Sequence, residues 1–437
     1  MIKQIEFDKR RAQLIAECLP NSLVIVPAAT AVTRSNDTEY HFRQNSDFWY
    51  FTGFNEPDAF FLISNRAASS TYTCFMFVRP KDPHAEIWHG RRLGVDAAPS
   101  ELGLDACYDL DNIEDLLPEM INGHEHVYFS SSENPFADTV VLDAINSCKS
   151  APKQSLMPPR CVHDVNQLIH RMRRIKSDNE IAIMQRAADI SAQAHCRAMQ
   201  AAKAGVWEYQ LEADILHTFA HHGAKFAAYN TIVGGGGNAC ILHYVENNQQ
   251  IADGELVLID AGCELYGYAA DITRTFPVNG KFTPAQAQIY QLVLDAQLAS
   301  IPLLRPDSTI TEAMDKAVEV ITHGLINLGI ILETFEDAIE NKTWRRYFMH
   351  GLGHYLGLDV HDVGIYKQNG ADVPLKAGIV MTVEPGIYIA ADATVPDQYK
   401  GIGVRIEDNI VITPEGNKVL SDKVPKTIDE IEALIAN

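Results

Sequence analysis

The sequence has 437 residues, and its 36 basic side chains stand against 57 acidic ones, so the formal net charge is -21. This negative charge repels polyanions and therefore argues against nucleic acid and acidic membrane surfaces as partners. Because single hydrophobic cores usually stop growing at roughly 250 to 300 residues, the length predicts two domains.

The cysteines and the start of the sequence indicate a reducing compartment. Eight cysteines are scattered without CxxC pairs, unlike the dense cysteines of a disulfide-stapled secreted module. The first residues, MIKQIEFDKRRAQL, lack the apolar centre of a secretory signal, and no run reaches the roughly 18 apolar residues of a membrane span. We therefore expect a cytoplasmic protein that does not associate with membranes.

The first part of the chain alternates apolar runs with polar or helical stretches. The runs SLVIVPAA, FFLIS and TCFMFVRP have the length and the apolar content of buried strands. Residues 1–174 are therefore predicted to form a mixed-sheet α/β domain. The basic run HRMRRIK at 170–176 is interpreted as a solvated helix end or linker.

A second α/β domain is predicted at 175–437, because the sequence SDNE near its start is a capping box. In such a box Ser177 accepts from the amide of Glu180, whose side chain reaches back to the amide of Ser177. A later helix is predicted to begin at TPAQ, with Thr283 as its cap and Pro284 as its first residue. Two helices followed by strand-like segments occur twice, which predicts a domain of two α/β halves.

Two aspartates in the segment ELVLIDAGCELYGYAADITRTF are candidates for chemistry. Asp260 ends an apolar run, and Asp271 begins an alternating one. If the segment folds as a hairpin about its midpoint, between Leu265 and Tyr266, the aspartates lie opposite each other with Cβ atoms roughly 4.5 to 5.5 Å apart. Carboxylates at that distance repel each other, so the pair predicts a bound cation or a shared proton.

Two further carboxylates and a cluster of histidines extend this set. Glu384 and Glu407 follow apolar residues in strand-like segments, and the stretch HGLGHYLGLDVHD carries His350, His354 and His361. Its glycines disfavour the helix on which zinc proteases place two histidines, because each costs about 1 kcal/mol in a helix. Carboxylates with one imidazole suit manganese and tolerate cobalt or zinc, and two ions about 3.5 to 4 Å apart would use all of these groups.

The segments that carry these residues resemble a known family. The C-terminal motifs are similar to the pita-bread metallopeptidases, in particular to aminopeptidase P: YNTIVGGGGNACILHY, DAGCELYGYAADITRTFPVNGKFTPAQ, HGLGHYLGLDVHDVG, MTVEPGIYI and GVRIEDNIVIT. The stretch YHFRQNSDFWYFTGFNEPDAF is similar to the N-terminal domain of the same group. The resemblance implies a catalytic pita-bread domain at 175–437 and an N-terminal domain at 1–174 that takes part in oligomerisation and forms a wall of the substrate site.

The resemblance also implies the ligands of a dinuclear metal centre. Asp260 would bind one ion, His354 and Glu384 would hold the other, and Asp271 and Glu407 would bridge the two. The expected cofactors are two Mn²⁺ ions, with Co²⁺ or Zn²⁺ as alternatives.

Further residues are assigned to catalysis and to substrate binding. His243, His350 and His361 would hydrogen-bond the scissile carbonyl or its tetrahedral adduct, where negative charge develops. Glu384 would pass a proton to the leaving nitrogen, and Arg405 would tether a carboxylate or a neighbouring tyrosine. The candidates for substrate contact are Tyr229, Tyr388 and Trp88.

The implied activity is removal of the N-terminal residue from peptides with proline in second position, through a hydroxide that bridges the two metal ions. A prolidase, which accepts only Xaa-Pro dipeptides, is the alternative within the class. A non-catalytic pita-bread module that binds other proteins is the alternative from another class. The resemblance also implies a homo-oligomer, either a dimer or a homotetramer.

Overall fold

The computed structural model describes residues 2–66, 71–151, 153 and 155–436, which divide into two units. The N-terminal unit is Met1–Arg173, and the C-terminal unit is Arg174–Asn437. Both units mix helices with strands, as the sequence predicts. Among the described helices, none combines the length and the apolar content that crossing a membrane would require.

The N-terminal unit is built around a six-stranded mixed sheet. In chain order the strands are β1 (Ser22–Pro27), β2 (Thr33–Ser35), β3 (Thr38–Glu39), β4 (Phe60–Ser64), β5 (Thr73–Val78), β6 (Ala106–Asp109), β7 (His126–Tyr128) and β8 (Cys161–His163). The sheet has the order β6-β5-β4-β1-β7-β8, while β2 and β3 form a separate hairpin. The pairs β1–β4 and β4–β5 are antiparallel, and the other three are parallel. The three apolar runs of the sequence form β1, β4 and β5.

Helices cover this sheet and contribute to its core. They are α1 (Gln4–Glu17), α2 (Ser46–Thr52), α3 (Pro83–His89), α4 (Gly94–Leu102), α5 (Ile113–Ile121), α6 (Pro135–Ser150) and α7 (Asn166–Arg174). Apolar residues of α5 and α6, such as Leu117 and Val141, are fully buried in one cluster with Leu23, Ile25 and Val127 of the sheet. This burial of apolar surface is the main stabilising contribution to the unit.

The expectation that the basic run 170–176 is solvated is wrong for two of its residues. The side chain of Arg173 is 3% exposed and its Nη1 lies 2.7 Å from Oδ1 of Asp47. In the C-terminal unit, Nζ of Lys176 lies 2.8 Å from Oδ2 of Asp362, and both side chains are 1% exposed. Buried charges require such partners, because an isolated ion is costly to remove from water.

The C-terminal unit contains the remaining helices and strands. The helices are α8 (Asp178–Ala201), α9 (Glu208–His221), α10 (Pro284–Ser300), α11 (Ile310–Asn327), α12 (Phe335–Glu340) and α13 (Ile428–Ala436). The strands are β9 (Phe226–Ala227), β10 (Ile232–Gly235), β11 (Leu256–Asp260), β12 (Cys263–Leu265), β13 (Tyr268–Ala269), β14 (Thr273–Pro277), β15 (Lys367–Gln368), β16 (Ala371–Asp372), β17 (Val380–Val383), β18 (Gly386–Ile389), β19 (Ile402–Arg405), β20 (Asp408–Thr413) and β21 (Gly416–Val419).

Both predicted helix starts are confirmed. Oγ of Ser177 accepts from the amide of Glu180 at 3.3 Å, and Oε2 of Glu180 accepts from the amide of Ser177 at 2.9 Å. Thr283 and Gln286 form a second capping box, and Pro284 is the first residue of α10. These side chains satisfy amides at helix N-termini that have no partner within the helix.

Two groups of antiparallel strands carry the candidate site. The first is β10-β11-β14, and the second comprises β17-β20-β21 with the neighbouring pair β18-β19. The first group follows α8 and α9, and the second follows α10 and α11, as predicted for two α/β halves. The halves meet where the amide of Glu407 donates to the carbonyl of Thr273 at 3.0 Å.

Candidate metal centre and active site

The predicted register of Asp260 and Asp271 is wrong, because Asp260 in β11 pairs with Thr273 in β14. The cause is the turn of the hairpin, which runs through Tyr266 and Gly267. Both turn residues have positive φ, 51° and 85°, as two-residue turns of type I′ require. The midpoint therefore lies one residue further along the chain than predicted, which moves each pairing by two residues.

The two aspartates are nevertheless joined, through the hydroxyl of Tyr229. This oxygen lies 2.6 Å from Oδ1 of Asp260 and 2.6 Å from Oδ1 of Asp271. Burial, together with the charges of both carboxylates, raises the pKa of Tyr229 well above its ordinary value. The phenol is therefore neutral and is the hydrogen-bond donor between them.

Arg405 links Asp260 to the second half of the domain. Its Nη2 donates to Oδ2 of Asp260 at 2.6 Å, and its Nη1 donates to the hydroxyl of Tyr388 at 3.0 Å. Its Nε donates to Oγ1 of Thr273 at 3.1 Å, and that hydroxyl donates to Oε2 of Glu407 at 2.7 Å. Arg405 thus contacts both kinds of partner that the sequence suggests for it, a carboxylate and a tyrosine.

Asp271, His354 and Glu407 converge, since one ligand atom of each lies within 4.8 Å of the other two. Nε2 of His354 lies 3.4 Å from Oδ2 of Asp271 and 3.6 Å from Oε1 of Glu384. Its Nδ1 lies 3.0 Å from the carbonyl oxygen of Tyr355, which can only accept. The hydrogen bond therefore keeps a hydrogen on Nδ1, which donates it to the carbonyl, and directs Nε2 toward the carboxylates, as in many metal-binding histidines.

The charges of this cluster do not balance. Burial, with Asp271 contributing, raises the pKa of Glu384 to about 7 and that of Glu407 well above its ordinary value. Burial lowers the pKa of His354, but Asp271 and Glu384 outweigh it and raise this pKa to about 9. If all four carboxylates among the described cavity residues were ionised, His354 and Arg405 would supply only two positive charges against them. The raised pKa values of Glu384 and Glu407 reflect burial and this excess of negative charge. Oxygen donors with excess negative charge and one imidazole fit divalent cations.

These groups line a cavity of about 740 Å³, a volume typical of small-ligand sites. His243, His350 and His361 also line it, together with apolar residues such as Leu242 and Val360. The cavity therefore combines a cluster of candidate metal ligands with an apolar wall of a size suited to an uncharged side chain.

The three histidines differ in how firmly they are held. Nδ1 of His350 hydrogen-bonds to the carbonyl of Gly351, and its Nε2 lies 2.8 Å from the hydroxyl of Tyr388. Burial and the charge of Arg405 lower the pKa of His350 to about 4, so this ring is neutral near pH 7. The ring centroid of His361 lies 4.0 Å from that of His354, whereas His243 is exposed on a loop.

The structure brings most of the predicted residues to one place. Tyr229 lines the cavity, and the hydroxyl of Tyr388 contacts His350, which also lines it. Trp88 belongs to α3 of the N-terminal unit and is 73% exposed, and the lining residues that the structure describes all belong to the C-terminal unit.

Two threonines that we did not predict support the ligands. Thr273 lies between Arg405 and Glu407, as described above. Oγ1 of Thr382 accepts from the amide of His354 at 3.0 Å and donates to Oε1 of Glu384 at 3.3 Å. Each threonine is two residues from an acidic candidate ligand in sequence, and the period of two along a strand is the signal that could have identified both.

A buried ion pair lies directly behind the ligands. Nη2 of Arg274 donates to Oδ1 of Asp408 at 2.7 Å, and both side chains are fully buried. Nη1 of Arg274 donates to the carbonyl of Glu407 at 2.6 Å, and Nζ of Lys426 donates to Oδ2 of Asp408 at 2.7 Å. Burial opposes the charge of Asp408, but Arg274 and Lys426 hold its pKa well below the usual range. The pair therefore fixes the backbone on both sides of the cluster.

Comparison with known proteins gives matches to both units. Residues 182–414 match metallopeptidase family M24, and residues 7–128 match the aminopeptidase P N-terminal domain. The chain is 49% identical to the Xaa-Pro aminopeptidase of Escherichia coli (strain K12) over 434 residues, which cover 99% of this chain and 98% of the relative. It is 36% identical to Xaa-Pro aminopeptidase 3 of Mus musculus, and the match covers 99% of this chain and 86% of that relative. A solved structure of zinc-substituted E. coli aminopeptidase P in complex with product matches with a TM-score of 0.98 at 49% identity, covering 100% of this chain and 98% of that one.

Proposed function

Because this chain belongs to metallopeptidase family M24, with the pita-bread fold in its C-terminal unit, we propose that it is a metal-dependent Xaa-Pro aminopeptidase. Such an enzyme hydrolyses the bond between the first residue of a peptide and a proline in second position. The observation that carries the proposal is that one cavity is lined by all five predicted ligands: Asp260, Asp271, His354, Glu384 and Glu407. Relatives named as Xaa-Pro aminopeptidases favour this activity over that of a prolidase.

The proposed cofactor is a pair of divalent ions, Mn²⁺ in the first place and Co²⁺ or Zn²⁺ as alternatives. The charge imbalance described above and the hard oxygen donors support this choice. In this assignment Asp260 would hold one ion, His354 and Glu384 would hold the other, and Asp271 and Glu407 would contribute to both. When bound, such ions supply a water of lowered pKa and polarise the scissile carbonyl.

The side chains around the centre handle the charge and the protons of the reaction. His243 and His361, both exposed in the cavity, are proposed to donate hydrogen bonds to the scissile carbonyl, where negative charge develops. The chain of contacts Arg405–Tyr388–His350 holds the neutral imidazole of His350 beside them. Glu384 is proposed to take a proton from the attacking water and pass it to the leaving nitrogen, because an amide nitrogen leaves as an amine only after it gains a proton.

The position of the substrate follows from the same groups. The free α-amine of a peptide is cationic, and we place it near the carboxylate of Asp260, which would restrict cleavage to the first bond. Tyr229, which contacts Asp260, and Tyr388 are proposed to border the bound peptide. The apolar wall that includes Leu242 and Val360 suits the ring of proline.

Assembly and compartment are further parts of the proposal. The N-terminal unit is proposed to mediate a dimer or tetramer, in which the exposed Trp88 contacts the site of a neighbouring subunit. Light scattering tests this part, because a monomer under assay conditions excludes it. A cytoplasmic location is supported by the eight cysteines, all of which are free.

A chelation experiment with a small peptide panel tests the activity. Protein treated with a chelator is expected to lose cleavage of an Xaa-Pro-Xaa tripeptide and to regain it with Mn²⁺. Cleavage that does not respond to metal contradicts the proposal. Activity on Xaa-Pro dipeptides alone would indicate a prolidase, and absence of any cleavage by metal-loaded protein would favour a non-catalytic binding module.

A further inference from the structure

A second group of metal-ligating side chains lies in the N-terminal unit, on strands β7 and β8. One ring nitrogen of His126, one of His163 and Sγ of Cys161 all lie within 4.8 Å of one another. Nδ1 of His126 and Nε2 of His163 are only 2.9 Å apart, so the two rings share a hydrogen bond. The proposed peptidase activity makes no use of these residues.

The parallel pairing of β7 with β8 explains why the three side chains meet. His126 pairs with Cys161, and Tyr128 pairs with His163, so all four side chains project from one face of the sheet. The ring of Tyr128 stacks on that of His163 with centroids 4.7 Å apart, which restricts the imidazole to one orientation. Because β8 is an edge strand, the thiol of Cys161 is exposed to solvent.

We propose that His126, Cys161 and His163 bind a single divalent ion of the zinc class. Two imidazoles and a thiolate form a borderline-soft ligand set that selects Zn²⁺ or Co²⁺ over Mn²⁺ or Mg²⁺. This chemistry differs from the carboxylate-rich set of the C-terminal unit. Three protein ligands on an exposed edge leave a fourth tetrahedral position for water or a small anion.

Binding requires only small adjustments of the side chains. Tetrahedral zinc with Zn–N distances of 2.0–2.1 Å holds its two nitrogens about 3.3 Å apart, so the present 2.9 Å between the rings must widen by about 0.4 Å. The hydrogen now shared by the two nitrogens moves to the other nitrogen of the same ring, and both imidazoles stay neutral. The thiol releases its proton to solvent when it ligates the ion. The bound ion then joins the three-residue strand β8 to β7.

Cobalt spectroscopy distinguishes this site from the catalytic one. Chelator-stripped full-length protein is titrated with Co²⁺, and thiolate ligation is expected to give a near-ultraviolet charge-transfer band. Carboxylate and imidazole ligands alone give no such band, so the C-terminal centre does not contribute to it. The band is expected to saturate at one thiolate-bound ion per chain and to disappear when Zn²⁺ displaces Co²⁺.

Variants assign the band to its residues. Cys161→Ser is expected to abolish it, and His163→Gln is expected to weaken Co²⁺ binding at least about 10-fold. Cys107→Ser is the matched control, because Cys107 is a free cysteine on β6 at the opposite edge of the same sheet. Peptidase activity of the Cys161→Ser variant with Mn²⁺ should equal that of the unmodified chain.

A measurement on the unmodified chain keeps the test independent of how the variants fold. The protein is first given enough Zn²⁺ to fill the catalytic centre, and one further equivalent is then added. This further equivalent is expected to protect Cys161 from alkylation, which peptide mass mapping measures. The proposal is overturned if excess Co²⁺ gives no thiolate band, if the band persists in Cys161→Ser, or if Zn²⁺ leaves the alkylation of Cys161 unchanged.

Discussion

The hydroxyl of Tyr229 lies at the same distance, 2.6 Å, from a carboxylate oxygen of Asp260 and from one of Asp271. A phenol carries one hydrogen, so it cannot donate fully to both oxygens. The single phenol hydrogen therefore satisfies only part of the hydrogen-bonding capacity of the two buried carboxylates. A cation relieves this deficit, which links the stability of the domain to metal binding.

Replacing Tyr229 by phenylalanine should destabilise the metal-free protein more than the metal-loaded protein. Loss of a hydrogen bond to a charged group costs about 2 kcal/mol, and a bound cation offsets most of that loss. Urea unfolding of Tyr229→Phe with and without Mn²⁺ measures the difference. Tyr209→Phe, at a partly exposed tyrosine on α9, is the control. Equal losses in both states would contradict the link to metal binding.

Glu208 fixes the loop that carries His243. Its Oε1 accepts from the amide of Gly235 at 2.8 Å and from Nδ2 of Asn238 at 2.9 Å. Its Oε2 accepts from the hydroxyl of Tyr244 at 2.8 Å and from the amide of Gln249 at 2.9 Å. One fully buried carboxylate thus holds the loop at four points on both sides of the histidine.

In Glu208→Gln an NH₂ group replaces one of the two accepting oxygens. This group cannot accept a hydrogen bond from the donors that face it. The loop is expected to shift, and because misplacement of about 1 Å can cost 10²-fold in rate, we expect kcat/KM to fall about 10- to 100-fold. Metal content should stay unchanged, which separates this effect from loss of the ions. Asp214→Asn on the same helix, where the carboxylate contacts the half-exposed Arg197, should leave kcat/KM unchanged. Full activity of Glu208→Gln would exclude a positioning role.

Removal of Arg274 should destabilise the protein strongly. Arg274→Met leaves the buried carboxylate of Asp408 with Lys426 as its remaining described cation, and breaking a buried ion pair in this way costs about 3 to 5 kcal/mol. Chemical denaturation measures this loss. The control is Arg197→Met, which breaks the half-exposed pair with Asp214 and should cost less than about 1 kcal/mol. Similar losses in the two variants would show that burial of the pair does not matter.

The stability of the C-terminal unit should fall below pH 6.5 because of His195. This residue of α8 is fully buried, its Nε2 lies 3.0 Å from the carbonyl of Ala261, and burial lowers its pKa from 6.5 to about 4. The unfolded chain binds a proton at its pKa of 6.5, and the folded protein does so only near pH 4. The contribution of His195 is therefore complete above pH 6.5 and decreases by about 3 kcal/mol as the pH falls to 4.

Comparison of His195→Gln with the unmodified chain isolates this contribution, since acidic residues titrate in both proteins. The glutamine amide can still donate to Ala261 but has no proton to gain. Urea unfolding between pH 7 and 4.5 should therefore show a shallower decline for His195→Gln. His323→Gln, at an exposed histidine of α11, should retain the slope of the unmodified chain. A steep decline that persists in His195→Gln would contradict the assignment.

Structural features that depend on local interactions could be predicted from the sequence. The helix starts at Ser177 and Thr283 depend on residues three positions apart, and the apolar runs of β1, β4 and β5 are continuous in sequence. The ligand candidates lie in motifs that resemble a known family. Each of these signals is contained in a short segment, so one sequence suffices to read it.

The predictions that failed depend on contacts between distant residues or on an unusual backbone conformation. The side chains of Arg173 and Lys176 are buried because their partners, 126 and 186 positions away in sequence, compensate their charges. The register of Asp260 depends on Tyr266, a non-glycine residue with positive φ. Such a conformation is uncommon for a large side chain, so composition alone does not indicate where this hairpin turns.

The ion pair of Arg274 and Asp408 makes assembly of the proposed metal centre a late step of protein synthesis. Arg274 also donates to the carbonyls of Val424 and Pro425, and Lys426 completes the charges. The ribosome delivers the chain from its N-terminus, so Asp260 and Asp271 leave the exit tunnel well before these residues. A nascent chain interrupted before residue 424 therefore carries its carboxylates without the support that holds them together.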